Sequence, residues 1–409
     1  SSETTLYIPY NEYMWEYDGG YFMRNDGIDL IGITDSYSDL PKLIVPPQDD
    51  ETISRNLFNL NGSCTIKNIS FTNIQFDINA VTLNETHEAG ETLDIKFENC
   101  SFNNCWFLCQ VTQPETLFRL TIDRCEFIDS YFQAAYNAFK TYSISIKNSY
   151  IELNPGSPRD FLNLAMNSHQ QCVCDISNNF IVNSSAATGT SAATIDISAP
   201  FGVAETRNSV KIHNNVILHG ANGDTSSIYI LGIPNVHITD NRIIYTHASP
   251  GSGYGDALIA VSTPENAVIR NNVLTATSLP APTGIKWPLC FIHIDGNRIV
   301  VSENIIDDVT GLGELDGLHI SDSEDIMILN NYFKGGRIFV PNKYQDADNI
   351  MIHGNTMRSI YGSSLNNTSS EIYDIKFNTF TGSNPIPTQL KPAANFNEID
   401  GQMVGTLVA

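Results

Sequence analysis

Two histidines, His293 and His319, stand at equivalent places in the phrases Phe291-Ile292-His293-Ile294 and Gly317-Leu318-His319-Ile320, with Asp295, Asp316 and Arg337 nearby in the same repeating pattern. Imidazole, carboxyl and guanidinium groups gathered in this way suit general acid–base catalysis, binding of an anionic group, or ligation of a cation. The expected catalytic set is therefore His293, His319, Arg337 and Asp316, with Asp295 and Asp316 as metal ligands if calcium takes part. A solvated outer face on which stacked polar residues merely tolerate water is the plainer alternative.

A recurring strand must position these residues. The phrases Thr194-Ile195-Asp196, Ser227-Ile228-Tyr229, Leu258-Ile259-Ala260, Phe291-Ile292-His293, Gly317-Leu318-His319 and Arg337-Ile338-Phe339 share one frame, whose outward column reads Asp196, Tyr229, Ala260, His293, His319 and Phe339. Long insertions at 154–171, 183–193, 245–256, 275–289 and 307–316 precede this strand and are expected to wall a groove. They carry His247, Tyr254, Asp256, Lys286 and Trp287. With Tyr229 and Asp196, the residues His247, Tyr254, Lys286 and Trp287 form the expected substrate-binding set, the aromatic rings serving as sugar platforms.

A second phrase fixes the architecture. An asparagine returns at Asn179, Asn215, Asn241, Asn272, Asn304, Asn331, Asn355 and Asn378, as in Val210-Lys211-Ile212-His213-Asn214-Asn215-Val216-Ile217 and Val236-His237-Ile238-Thr239-Asp240-Asn241-Arg242-Ile243. Ser149, Cys125, Cys100 and Ile69 fill the same slot earlier. Alternation of period two says strand, and the variable spacing says a coil with loops. About twelve coils of a parallel β-helix are expected, in which each asparagine takes the left-handed conformation at a corner while its inward amide bonds those above and below in a ladder.

Composition agrees with an elongated repeat. The 409 residues carry 45 acidic against 22 basic side chains, a net charge of -23. Nothing basic is clustered to neutralise phosphates, so nucleic acid is not an expected partner. No run is long and apolar enough for a membrane span. The opening Ser1-Ser2-Glu3-Thr4-Thr5, running straight into Leu6-Tyr7-Ile8, reads as a chain trimmed of an export segment, which points to a secreted or cell-surface protein. The eight cysteines lack a paired C-x-x-C spacing and are expected as buried thiols.

Residues 1–60 read as an N-terminal cap and first turns, 61–380 as the regular helix, and 381–409 as a tail. A further outward column, with Val268, Val300, Met327 and Met351 in succession, makes an apolar stripe that needs cover. The tail, through Leu390, Phe396, Met403, Val404 and Leu407, is the preferred cover; a partner subunit, hence oligomerisation, is the alternative.

The phrase running from Asp316 through Asn331 to Phe333 resembles the right-handed parallel β-helix proteins of the pectate-lyase-like superfamily. That resemblance implies an all-β, right-handed, single-stranded parallel β-helix and favours glycans as the partner. It implies either a polysaccharide lyase, with Arg337 or Lys286 as base beside calcium-binding carboxylates, or a glycoside hydrolase. Asp316 matches the first aspartate of the hydrolases, while Gly335-Gly336 stand where they carry an aspartate pair. A polysaccharide-binding, lyase-like protein is thus the first expectation, and a non-catalytic adhesin or structural β-helix the second.

Overall fold

A computed structural model describes residues 4–14, 23–34, 40–45, 57–78, 92–109, 117–134, 141–155, 161–165, 171–184, 193–199, 208–220, 226–246, 257–262, 265–277, 290–308, 316–334, 336–340, 348–362, 373–382, 385–395, 397–399 and 402–404. It is an all-β parallel β-solenoid. Two compact units are present, residues 1–185 with 196–208, and residues 186–195 with 209–409. Among the described residues no helix is long and apolar enough to cross a membrane.

In the first unit a coil consists of three short strands. Thr92–Glu98, Ser101–Asn103 and Trp106–Cys109 pair in parallel with Leu117–Asp123, Glu126–Ile128 and Tyr131–Ala134 of the next coil. Alternation puts Leu93, Ile95, Phe97, Phe102 and Phe107 inside, each at most 3% exposed. Identical positions of successive coils lie about 4.8 Å apart, so rings at one position stack on those above. Phe76, Phe107 and Phe132 form such a pile, with centroids 4.7 and 4.2 Å apart and planes within 9° and 18°. Parallel pairing begins with Thr4–Ile8 against Ile28–Gly32. Tyr10, among the aromatics expected to cover the first coil, is 57% exposed; Trp15, Tyr17, Tyr21 and Phe22 lie outside the described residues.

The core of the second unit leans on Ile, Val and buried amides, with Phe291, Phe333 and Phe380 buried among them. Ser226–Leu231, Asn235–Thr239 and Arg242–Tyr245 pair with Ala257–Ser262, Asn266–Arg270 and Val273–Ala276. In the following coils the first two strands merge into Cys290–Ser302 and Asp316–Leu329. Buried amides occupy the corner. Asn272 Nδ2 donates to Ile238 O at 2.9 Å and to Asn304 Oδ1 at 2.9 Å, while its own Oδ1 accepts from the backbone and side-chain nitrogens of Asn241 at 3.0 Å. Asn304, Asn331, Asn355 and Asn378 repeat this arrangement. Each amide is thereby satisfied at almost no exposure, which removes the cost of about 1–3 kcal/mol that an unpaired buried amide carries.

One detail of the sequence reading is corrected. The left-handed backbone falls on the residue before the inward asparagine: Asn178, Asn214, Asp240, Asn271, Glu303, Asn330 and Phe377 have φ between 55° and 59°, and Gly354 has 69°. Turning the chain and filling the corner are separate jobs, held by adjacent residues. A Cβ on Gly354 would meet Asn330 Oδ1, the end of an exposed side chain, at 2.3 Å, so glycine there serves the positive φ first.

The described residues of the tail pair with the last coils. Ala394 pairs with Ile375, Glu398 with Thr379, and Gln402–Val404 folds antiparallel onto Asn397–Ile399. Asn397 accepts from Asn378 Nδ2 at 3.0 Å, and Leu390 is fully buried. The described tail thus extends the coil; Met327 is 40% exposed, with Val268, Val300 and Met351 half-buried in one register. Phe396 and Leu407 lie outside the described residues. Seven cysteines, Cys64, Cys100, Cys105, Cys125, Cys172, Cys174 and Cys290, are buried thiols.

Candidate functional site

Register alone builds the outward column of the second unit. Tyr229 pairs with Ala260, Ala260 with His293, His293 with His319, His319 with Phe339, and Phe339 with Tyr361. The rings follow one another: His293 and His319 at 5.1 Å and 78°, His319 and Phe339 at 4.1 Å and 18°, Phe339 and Tyr361 at 5.2 Å and 77°. Tyr229 packs on Ala257, Ala260 and Cys290 at the other end of this column. Tyr361 was not among the expected residues. Its signal was present, since Ser359-Ile360-Tyr361 repeats the frame of Arg337-Ile338-Phe339 one coil later.

Asp316 enters by a break in the pleat. The registers Cys290↔Asp316 and Asp316↔Arg337 place it at the start of the strand, and the pairing with the next coil shifts between Asp316 and Leu318. Gly317 sits in the break, where a Cβ would lie 2.4 Å from Phe333 Cδ1. Only glycine lets the backbone rest on that ring, and the carboxyl of Asp316 is carried to 1% exposure. There the Tyr361 hydroxyl donates to it, at 2.6 Å from Oδ1 and 2.5 Å from Oδ2. Arg337 brings a guanidinium nitrogen to 3.4 Å from Oδ1, and its Cζ lies 4.3 Å above the Tyr361 ring centre. His319 Nδ1 is 4.0 Å from Oδ2.

Burial governs the charges. It pushes the Asp316 carboxyl up to about 6, against the opposing pull of the Tyr361 hydrogen bond and of Arg337. It holds His319 down to about 4, aided by the neighbouring His293. His293 is lowered by burial too, with Asp295 pulling the other way, and its Nε2 lies 2.8 Å from Ser321 Oγ. Tyr361 is raised, first by burial and then by its bond to Asp316. At neutral pH the cluster therefore holds uncharged imidazoles, a protonated phenol, a permanent cation and a carboxylate between them.

Four expected residues, His293, His319, Asp316 and Arg337, are thus brought together. Asp295 belongs to a neighbouring column, where its Oδ2 accepts from Ser262 Oγ at 2.9 Å. Asp196 lies in the first unit and is 5% exposed. His247, Tyr254, Lys286 and Trp287 lie outside the described residues. The described donors do not fit calcium, which wants six to eight oxygens: both oxygens of Asp316 are engaged by Tyr361, Asp295 is turned to Ser262, and no group of three or more metal-type side chains forms among the described residues.

No family model matches the chain, and no curated protein sequence matches it. Among solved structures it is similar to the A-module of a mannuronan C-5 epimerase from Azotobacter vinelandii, with 11% identity over 99% of this chain and 90% of that one, at a TM-score of 0.31. It is similar also to the catalytic domain of a GH87 alpha-1,3-glucanase in complex with tetrasaccharides, with 13% identity over 90% of this chain and 63% of that one, at a TM-score of 0.29. The tailspike protein of an E. coli bacteriophage shares 11% identity over 98% and 72%, at a TM-score of 0.30.

Proposed function

We propose that the protein binds and processes a polysaccharide on the outward face of its second unit, and that it cleaves a uronate-containing chain there by lyase-type proton abstraction. The scaffold of this reading is a right-handed helix of about twelve coils with an asparagine ladder, working outside the cell or at its surface. The observation that carries it is the buried Asp316 carboxyl, which holds Arg337 and Tyr361 together beside His319.

Elimination next to a carboxylate needs a base, a cation for the charge that develops on the carboxylate, and a proton donor for the departing oxygen. His319, held down to about 4, is free of its proton at neutral pH and takes the C5 proton of the uronate. The C5–H electron pair becomes the C4–C5 double bond, and O4 leaves with the electrons of the C4–O4 bond. Tyr361, kept protonated by burial, donates its hydroxyl proton to O4 and is reprotonated from solvent, to which His319 returns its own. Arg337 is permanently charged and so unsuited to be the base; it pairs with the substrate carboxylate. Asp316 is a positioning residue for both partners.

The test mixes the protein with polymannuronate and with polygalacturonate and follows the ultraviolet absorbance of the unsaturated product. Absorbance should grow with at least one polymer, and His319→Asn and Arg337→Gln should each lower the rate by roughly a hundredfold or more. Retention of glycan without product, indifferent to both changes, would leave a non-catalytic binding protein in place of the lyase.

A further inference from the structure

The second unit carries an outward column on a different set of strands from those of His293 and His319. Register runs from Lys211 to His237, Val268, Val300, Met327, Met351 and Asp374, one side chain from each successive coil. All of it lies within that unit. Lys211 and His237 are exposed, Met327 is 40% exposed, and Val268, Val300 and Met351 are half-buried. An apolar run is thus bounded by a cation at one end and a carboxylate at the other. The flanking column, with Thr239, Arg270, His353 and Lys376, is polar, as the rim of an interface is.

The order of this column is self-complementary. Turned end for end about Val300, it sets Lys211 against Asp374, His237 against Met351, Val268 against Met327 and Val300 against itself. A twofold axis running along the strands does this to two copies of the chain, and a contact between identical surfaces needs such complementarity. Two copies with their coils in the same direction would instead set Lys211 against Lys211 and Asp374 against Asp374, which like charges oppose. Asp374 is held in its own chain by Lys376 Nζ at 2.9 Å and His353 Nε2 at 3.1 Å, and its side chain remains 38% exposed, with room to accept from a further cation.

Size supports the same occupant. Successive coils stand about 4.8 Å apart, so with its end side chains the column is roughly 34 Å long, and a strand of about five residues is roughly 17 Å wide. Two such faces together bury on the order of 1,100 Å², just above the roughly 1,000 Å² at which specific association begins. A net charge of -23 on each copy opposes the approach, which sets the expected affinity in the micromolar range.

We infer that this stripe is a dimer interface on which a second copy of the chain packs with its coils in reverse order. Val268, Val300, Met327 and Met351 form the apolar centre, and an ion pair between Lys211 and Asp374 of the other copy closes each end. Nothing in this inference depends on the glycan reading.

Sedimentation of the full chain, from submicromolar to several hundred micromolar, should show a monomer–dimer equilibrium. Val300→Glu places two carboxylates face to face at the axis and should weaken the dimer by roughly thirtyfold or more. Lys211→Asp and Asp374→Lys should each weaken it by roughly tenfold, and the two changes together should restore it, a rescue that a purely structural role would not give. With oxidised glutathione as the two-electron acceptor, Val300→Cys should become disulfide-linked between copies, beyond any linkage in the unchanged protein. Lys211→Cys should not, because that position stands about 29 Å from its own copy. Melting curves check the fold of each variant. Should Val300→Glu not fold, Met327→Glu must give the same loss, and should the double change not fold, the two cysteine variants decide. A monomer at every concentration, a dimer indifferent to Val300→Glu, a folded double variant that fails to restore association, or linkage of Lys211→Cys overturns the inference.

Discussion

Replacing His319 with asparagine should change how stability depends on pH, and the sign follows from two opposed groups. Burial holds His319 at about 4 instead of 6.5, so the folded protein favours its neutral form. Its contribution is complete above pH 6.5 and is lost as the pH falls from 6.5 through 4. At about 1.4 kcal/mol for each pH unit between the two values, that loss approaches about 3 kcal/mol. Asp316 runs the other way. Its pKa rises from 3.8 to about 6, so its contribution is complete below 3.8 and is lost as the pH rises through 6, by a similar amount. Over the shared window the two cancel in the native protein, which should show a flat profile from this cluster. His293, Arg337 and Tyr361 face the pair and are retained in the variant. His319→Asn leaves Asp316 alone and should be more stable at about pH 4.5 than at about pH 7, relative to the native protein, by roughly 2–3 kcal/mol. Urea unfolding at a series of pH values measures this, and Asp316→Asn should tilt the profile the opposite way. Parallel profiles for native protein and His319→Asn would refute the assignment of these two opposed pKa shifts.

Two further outcomes test the scaffold. Gly317→Ala sets a methyl group 2.4 Å from the Phe333 ring and should cost about 1–3 kcal/mol by urea unfolding, while disturbing the Asp316 carboxyl enough to slow any polyuronate cleavage; Gly336→Ala, whose nearest contact is 3.3 Å, should be milder. Asn331→Ala leaves the backbone and side-chain nitrogens of Asn304 without their acceptor and Val301 O without its donor, and should lower stability by about 3 kcal/mol or more in the same measurement.

What the sequence disclosed and what it hid have separate physical causes. A buried amide must find partners within one coil of itself, so its recurrence is written in the chain at every coil and can be read without coordinates. Which residue turns the corner is harder to read, because Asn178-Asn179, Asn214-Asn215, Asn271-Asn272 and Asn330-Asn331 are doublets in which either member suits a left-handed backbone. The informative copies are Glu303-Asn304, Gly354-Asn355 and Phe377-Asn378. There the first residue varies freely in type while keeping positive φ, as an exposed turn position permits, and the second stays asparagine because the interior demands it.

The column of His293 and His319 was legible by the same reasoning, since strict alternation fixes which residue faces outward in every coil. Alternation is blind where it fails. Asp316 would be one more residue at a strand start if the pairing with the following coil did not shift at Gly317, and the contact between Asp316 and Tyr361 spans 45 residues that carry no trace of it. The glycine that breaks the local pattern lies against the Phe333 ring, and the carboxyl beside it is buried at a cost that an ordinary solvated face would not meet. A repeat that tolerates such a fault in one coil gathers there an acid, a phenol, a guanidinium and an imidazole, so the proposed chemistry sits where the repeat's own rule is suspended.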